Sequence, residues 1–157
     1  MQKASFLLVV DDIQKSRIFY ETVLSQEVLF DFGANITLSG GFALQAKDVW
    51  CEFISVSQDE ILKNTKNMEV YFEEYDFDAF ITQLQTRDNI IYVHEIREYP
   101  WGQRVVRFYD PDHHIIEVGE SMESVARKLF NQGLSLEEVA ERTQHPIEFV
   151  RASVGVA

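Results

Sequence analysis

One pattern constrains this chain more than any other: strand, helix, strand, strand, strand, written twice. In the first copy, SFLLVV (residues 5–10) reads as a buried strand ending at Asp11-Asp12. The segment DDIQKSRIFYETVL follows, with Ile13, Ile18, Phe19, Tyr20, Val23 and Leu24 spaced as a helix face behind an Asp N-cap. EVLFDF reads as a short strand, and ANITL and FALQA as two more joined by the SGG turn. Residues 48–66 read as a connector with a polar tail.

The pattern then restarts. EVYFEE (69–74) is a strand, and DFDAFITQLQTR (76–87) a helix with Phe77, Phe80, Ile81 and Leu84 on one face. IIYVHEIREY (90–99), QRVVRFY (103–109) and HIIEVGE (114–120) are strands, the last two separated by Asp110-Pro111-Asp112. Ile13 and Phe77 lie 64 residues apart, Gln45 and Glu117 72 apart. An internal repeat on this scale sets the architecture before any single element does. The reading is an α+β chain. Residues 1–120 hold two βαβββ modules, at about 3–57 and 67–120, and residues 121–157 form a helical appendage.

In that appendage Met122, Val125, Ala126, Leu129 and Phe130 share a helix face that Gly133 stops. Ser135 with Glu138 forms a capping box over LEEVAERT, and Pro146 opens a third helix. Three helices this short bury little alone, so they are expected to pack on the body or on a partner subunit.

Charge narrows the partners. The formal net charge is −12, and residues 1–120 hold 10 of the 14 basic and 21 of the 26 acidic side chains. That excludes non-specific nucleic-acid binding and disfavours anionic membrane surfaces. The segment GLSLEEVAERTQHPIEFVRAS resembles a helix-turn-helix fragment, but its second helix offers Arg151 as its single basic residue, so DNA reading is not expected. Cys51, the one cysteine, reads as a small buried hydrophobe. No secretory or membrane-spanning run is evident, and a reducing cytoplasm is the default expectation. The nucleotide-binding, serine-hydrolase and zinc-protease motifs GxxxxGK[ST], GxGxxG on a strand, GxSxG and HExxH are absent.

The two stretches VVDDIQKSRIFYETVL and WGQRVVRFYDPDHHIIEV resemble the vicinal oxygen chelate superfamily, which includes glyoxalase I, bleomycin- and fosfomycin-resistance proteins and extradiol dioxygenases. The second stretch is similar to the pattern W-G-x-R…F-x-D-P-D-G-x-x-x-E and is the more specific. The resemblance covers about residues 3–120. It implies two curved four-stranded sheets forming an open cup, in a protein that is commonly a homodimer. It also implies a divalent metal held by four side chains from the first and fourth strands of each module. Carried over, those positions are Ser5 and Gln45, then Glu69 and Glu117. Half of them are neutral. Glu69 and Glu117 are the remaining metal candidates, suited to weak Mg²⁺ or Mn²⁺ binding and poor for Zn²⁺ or Ni²⁺. No cofactor is therefore expected beyond such a weakly held ion, and the four positions become candidate ligand-binding residues.

Other candidates come from the residues themselves. Glu117 and His94 are the candidate catalytic residues, His94 as an acid or base near neutral pH if it faces the cup. His113 stands where the family pattern has Gly and reads as a turn residue with positive φ. His114 and Glu117, three apart on a strand, cannot converge. His145, before a proline, reads as a helix boundary. Trp101 and Arg104 are candidate ligand contacts, although Arg104 and Arg107 have opposite parity and at most one of them faces the cup. Three functions stay open: a small-molecule-binding protein with a degenerate metal site, a divergent metal-dependent lyase of the glyoxalase kind, and a regulatory protein acting through its tail.

Overall fold

Each copy of the repeat closes into a mixed four-stranded sheet that carries its own helix. A computed structural model of the chain describes residues 5–156. They divide into two units. The first runs to Met68 and includes Asp110–His114; the second takes Glu69–Tyr109 and the chain from Ile115 onward.

In the first unit, β1 (Leu7–Val10), helix α1 (Ile13–Val23), β2 (Val28–Asp31), β3 (Asn35–Leu38) and β4 (Ala43–Ala46) follow the expected order. The sheet order is β1-β4-β3-β2, with β1 parallel to β4 and the other pairs antiparallel. Asp12 caps α1 by accepting from the backbone N–H groups of Gln14 and Lys15, both at 3.0 Å. That satisfies donors the first helical turn would otherwise leave unpaired. Phe19, Tyr20 and Leu24 of this segment are buried, as are Leu8, Val10, Ile36, Leu38, Phe42 and Leu44. Tyr20 meets Phe42 edge-on at 5.3 Å.

The connector carries more structure than the sequence reading expects. Lys47–Ile54 is a helix, α2, and a single 3-10 turn follows at Gln58–Glu60. Ala46 at the N-cap gives no side-chain bond, so the usual start signal is missing. Cys51 is buried on α2, and Ser55 ends the helix in the left-handed region at φ 59.

The Asp-Pro-Asp turn explains its acidic residues locally. Asp110 Oδ1 accepts from the backbone N–H groups of Asp112 (2.9 Å) and His114 (2.8 Å). Its Oδ2 accepts from Tyr20 Oη at 2.9 Å. Asp112 accepts from Ser16 Oγ, the Asp11 N–H and Lys63 Nζ. These two aspartates are buried but saturated with donors, as buried carboxylates must be. Burial, and then the charge and bond of Asp110, push the Tyr20 hydroxyl well above its usual pKa. His113 has φ 67, the turn conformation expected of it.

In the second unit, β5 (Glu69–Glu74), helix α3 (Phe77–Gln85), β6 (Ile91–Glu98), β7 (Arg104–Tyr109) and β8 (Ile115–Glu120) repeat the topology, ordered β5-β8-β7-β6. Val70, Phe77, Ile81, Leu84, Val106, Phe108, Ile116 and Val118 are buried. The edge strand β6 is mostly exposed and shifts register twice, which blunts an edge that could pair with another chain. The fold class is α+β with two repeated modules.

The tail begins without a linker. Ser121 caps α4 (Met122–Asn131), and α5 (Leu136–Thr143) and α6 (Ile147–Val154) follow. The capping box at Ser135 and Glu138 is present, while Pro146 is the N-cap of α6 rather than its first residue. Met122, Val125, Ala126, Leu129, Val139 and Val150 form a buried cluster against which Trp101 packs. Larger side chains of this kind contribute about 1.5–3 kcal/mol each when fully buried. Gly102 shows how closely the tail sits. Its φ is +87, and a Cβ there would stand 3.3 Å from Val125 and 3.4 Å from Leu129. No helix among the described residues is long and apolar enough to cross a membrane.

Candidate functional site

Strand period and register build the site. In the antiparallel pair β7–β8, Arg107 lies opposite Glu117, and in β6–β7 His94 lies opposite Arg107. Alternation places Arg104, Val106 and Phe108 on the other face of β7. The sequence candidates Glu69, Glu117 and His94 are brought together, and the residue that joins them is Arg107.

Arg107 is the centre of the arrangement. It forms an ion pair with Glu117, its Nε donates to Glu69 Oε2 at 2.9 Å, and its Nη1 donates to Tyr99 Oη at 2.7 Å. His94 Nε2 lies 3.1 Å from the same Nη1, and His94 Nδ1 lies 2.7 Å from the Glu95 carbonyl. A guanidinium only donates and a carbonyl only accepts. His94 is therefore the tautomer with its proton on Nδ1 and its Nε2 lone pair given to Arg107. Burial alone would lower the Arg107 pKa, but the bonds to Glu69 and Tyr99 outweigh it and the net shift is upward.

This geometry bears on a metal. Glu117 is 7% exposed, so its charge needs a partner close by. Arg107 supplies one that cannot be deprotonated, and shares it with Glu69. Among the described residues no group of three or more His, Cys, Asp or Glu is placed to hold a metal ion. The two carboxylates of the second unit therefore do not fit a divalent cation, because a guanidinium already occupies the position between them.

The other candidates stand apart from this cluster. Gln45, in the first unit, accepts from Asn35 Nδ2 and donates to the Ala34 carbonyl, both at 3.0 Å. Ser5 lies before β1, is exposed, and donates to the Gly41 carbonyl at 2.8 Å. Gln45 pairs with Val9, and Leu7 with Ala43, so the register makes Leu7 rather than Ser5 the counterpart of Glu69. Trp101 stacks on Tyr99 at 4.7 Å, and its indole N–H donates to Gln103.

Arg104, the other arginine candidate, has ion-pair partners of its own. It lies on the opposite face from Arg107, bonded to Glu120 and Asp78 and 5.0 Å over the Phe77 ring. Parity leaves room for one arginine beside Glu117, and it is Arg107. Arg107 and Tyr99 are the site residues that sequence reasoning missed. The turn at 110–114 carried the signal for Arg107, since a hairpin folded there sets residue 107 against 117.

Residues 4–123 match the family model described as a glyoxalase-like domain. The crystal structure of a protein of unknown function from Agrobacterium tumefaciens str. C58 is 35% identical, with a TM-score of 0.67, and the match covers 77% of this chain and 94% of that one. A glyoxalase/bleomycin resistance protein/dioxygenase from Nocardioides is 21% identical over 74% of this chain and 81% of that one, with a TM-score of 0.60. A glyoxalase-related enzyme from Fulvimarina pelagi is 18% identical over 77% and 89%, with a TM-score of 0.61. These last two likenesses speak to fold. No curated protein matches the chain.

Proposed function

The chain belongs to the glyoxalase-like domain family, within the vicinal oxygen chelate superfamily, and from that premise we propose that it is a small-molecule-binding protein of the glyoxalase/bleomycin-resistance type with a degenerate metal site. One observation carries the reading. Arg107 takes up both carboxylates and the histidine of the second module. A metal-dependent lyase needs its carboxylates for the ion and a free base for the proton. Here the carboxylates hold a guanidinium, and the imidazole lone pair accepts from the same group. What remains is a polar face ordered around one guanidinium, which suits recognition more than proton transfer. The fold alone does not decide this, since one fold serves many activities.

Metal analysis and thermal melting test the proposal. Protein purified without chelator is expected to carry no stoichiometric metal. Its melting temperature is expected to stay unmoved by millimolar Mn²⁺, Ni²⁺ or Zn²⁺, because an ion that binds the folded chain would raise it. Stoichiometric metal that disappears in Glu117→Gln would overturn the proposal.

A further inference from the structure

Where the helical tail meets the sheet of the second unit there is an open cleft of about 460 Å³. Tyr71 and Glu73 of β5, Trp101 and Gln103 just before β7, and Gln144 and His145 between α5 and α6 line it. The family match ends at residue 123, so the last two come from outside the matched region.

The hydrogen bonds along this cleft all run one way. The Trp101 indole N–H donates to Gln103 Oε1 at 3.0 Å, and Gln103 Nε2 donates to Tyr71 Oη at 3.0 Å. Tyr71 Oη in turn donates to Glu73 Oε1 at 3.0 Å. The Glu120 carbonyl also accepts from Gln103 Nε2, which fixes the amide's orientation. Burial, with Glu73's charge adding to it and Gln103's bond opposing it, pushes the Tyr71 hydroxyl up to about 12, so it remains a donor at neutral pH. Gly119 makes the arrangement possible. A Cβ there would stand 2.7 Å from Gln103 Nε2 and 3.1 Å from the Tyr71 ring.

Every donor in the chain is thus consumed, and its last member is a carboxylate. His145 adds a second acceptor. Its Nδ1 lies 2.7 Å from the Thr143 carbonyl and must carry the proton, which leaves Nε2 as the lone pair. The cleft therefore has aromatic rings, acceptors to spare and an acidic end. The net charge of −12 would draw cations toward it.

We propose that this cleft binds a small organic cation, its N–H groups held by Glu73 and His145 and its apolar body set against Trp101 and Tyr71. This goes beyond the small-molecule reading above, because the cleft is a second site lined by none of Glu69, His94, Tyr99, Arg107 and Glu117. Such a cation gains both a charge-assisted hydrogen bond and contact with aromatic rings.

Calorimetric titration with 2-phenylethylammonium and with phenylacetate tests the proposal, since the two share a ring and differ in charge. Saturable binding of the amine and none of the acid is expected. Glu73→Gln should weaken the amine about 10-fold or more. Glu137→Gln, an equal charge change on the exposed tail, should leave its affinity unchanged. Acid binding as tight as the amine, equal weakening by both variants, or no amine binding at millimolar concentration would overturn the proposal. Amine binding to a protein that also carries stoichiometric metal would sink the degenerate-site reading and leave this one standing.

Discussion

Asn35–Gln45 and Arg107–Glu117 occupy the same place in the two modules. Each is a directly opposed pair between the third and fourth strands of its sheet. In the first module the pair is neutral and closes on the nearby Ala34 carbonyl. In the second it is ionic and draws in Glu69, His94 and Tyr99. A repeated scaffold fixes where a polar pair goes, and the residues placed there decide how far its influence spreads. An amide pair satisfies itself. A buried charge must recruit a network, because an unsatisfied remainder is expensive in low dielectric.

The largest effect should come from breaking the ionic pair. Arg107→Ala leaves Glu117 buried and unpaired and should cost about 3–5 kcal/mol in a denaturant titration. Converting the second module to the first sharpens the comparison. Arg107→Asn with Glu117→Gln should recover most of that loss, since replacing both partners removes the stranded charge. A double variant as unstable as the sum of its singles would show that the two pairs are not equivalent. Gln45→Ala should cost less, about 1–3 kcal/mol, because the groups it strands are neutral. Ser5→Ala, at an exposed site, should stay within about 0.5 kcal/mol.

The units should also differ in their response to pH. Burial opposes the charged form of His114, but Asp110 and Asp112 outweigh it and raise its pKa above the ordinary 6.5. A raised pKa means that the folded state binds the proton more tightly. That stability is fully present below 6.5 and is lost as pH rises through the folded value. Glu120 behaves in the opposite sense. Burial would raise its pKa, but the bonds from Arg104 and Lys128 prevail and bring it below the ordinary 4.5. Its contribution is present above 4.5 and is lost as pH falls through the folded value. Melting curves should show His114→Asn flattening the neutral limb and Glu120→Gln the acid limb. An exchange of limbs would break the assignment.

Much of the fold was legible because it rests on period and punctuation. Alternation, helix faces, the Ser135 capping box and the Asp-Pro-Asp turn all leave local marks. Helix α2 left no such mark, since Ala46 gives it no side-chain cap. The site was half legible. Glu69 and Glu117 could be found from the repeat, while the facing of His94 was not set by parity, and the meaning of all three depended on which arginine shared their face. Tyr99 lies beyond the end of β6, and its bond to Arg107 is set by the turn that follows rather than by any spacing.

Ser121 is both the residue after β8 and the cap of α4, and its N–H donates to the Glu74 carbonyl at 2.9 Å. The join between sheet and tail therefore has no slack. Fraying at the end of β8 and unwinding of the first turn of α4 become one event with one rate. Amide protons on either side of Ser121 should exchange with solvent in step, so the tail's lifetime in its packed position is set by the strand that precedes it.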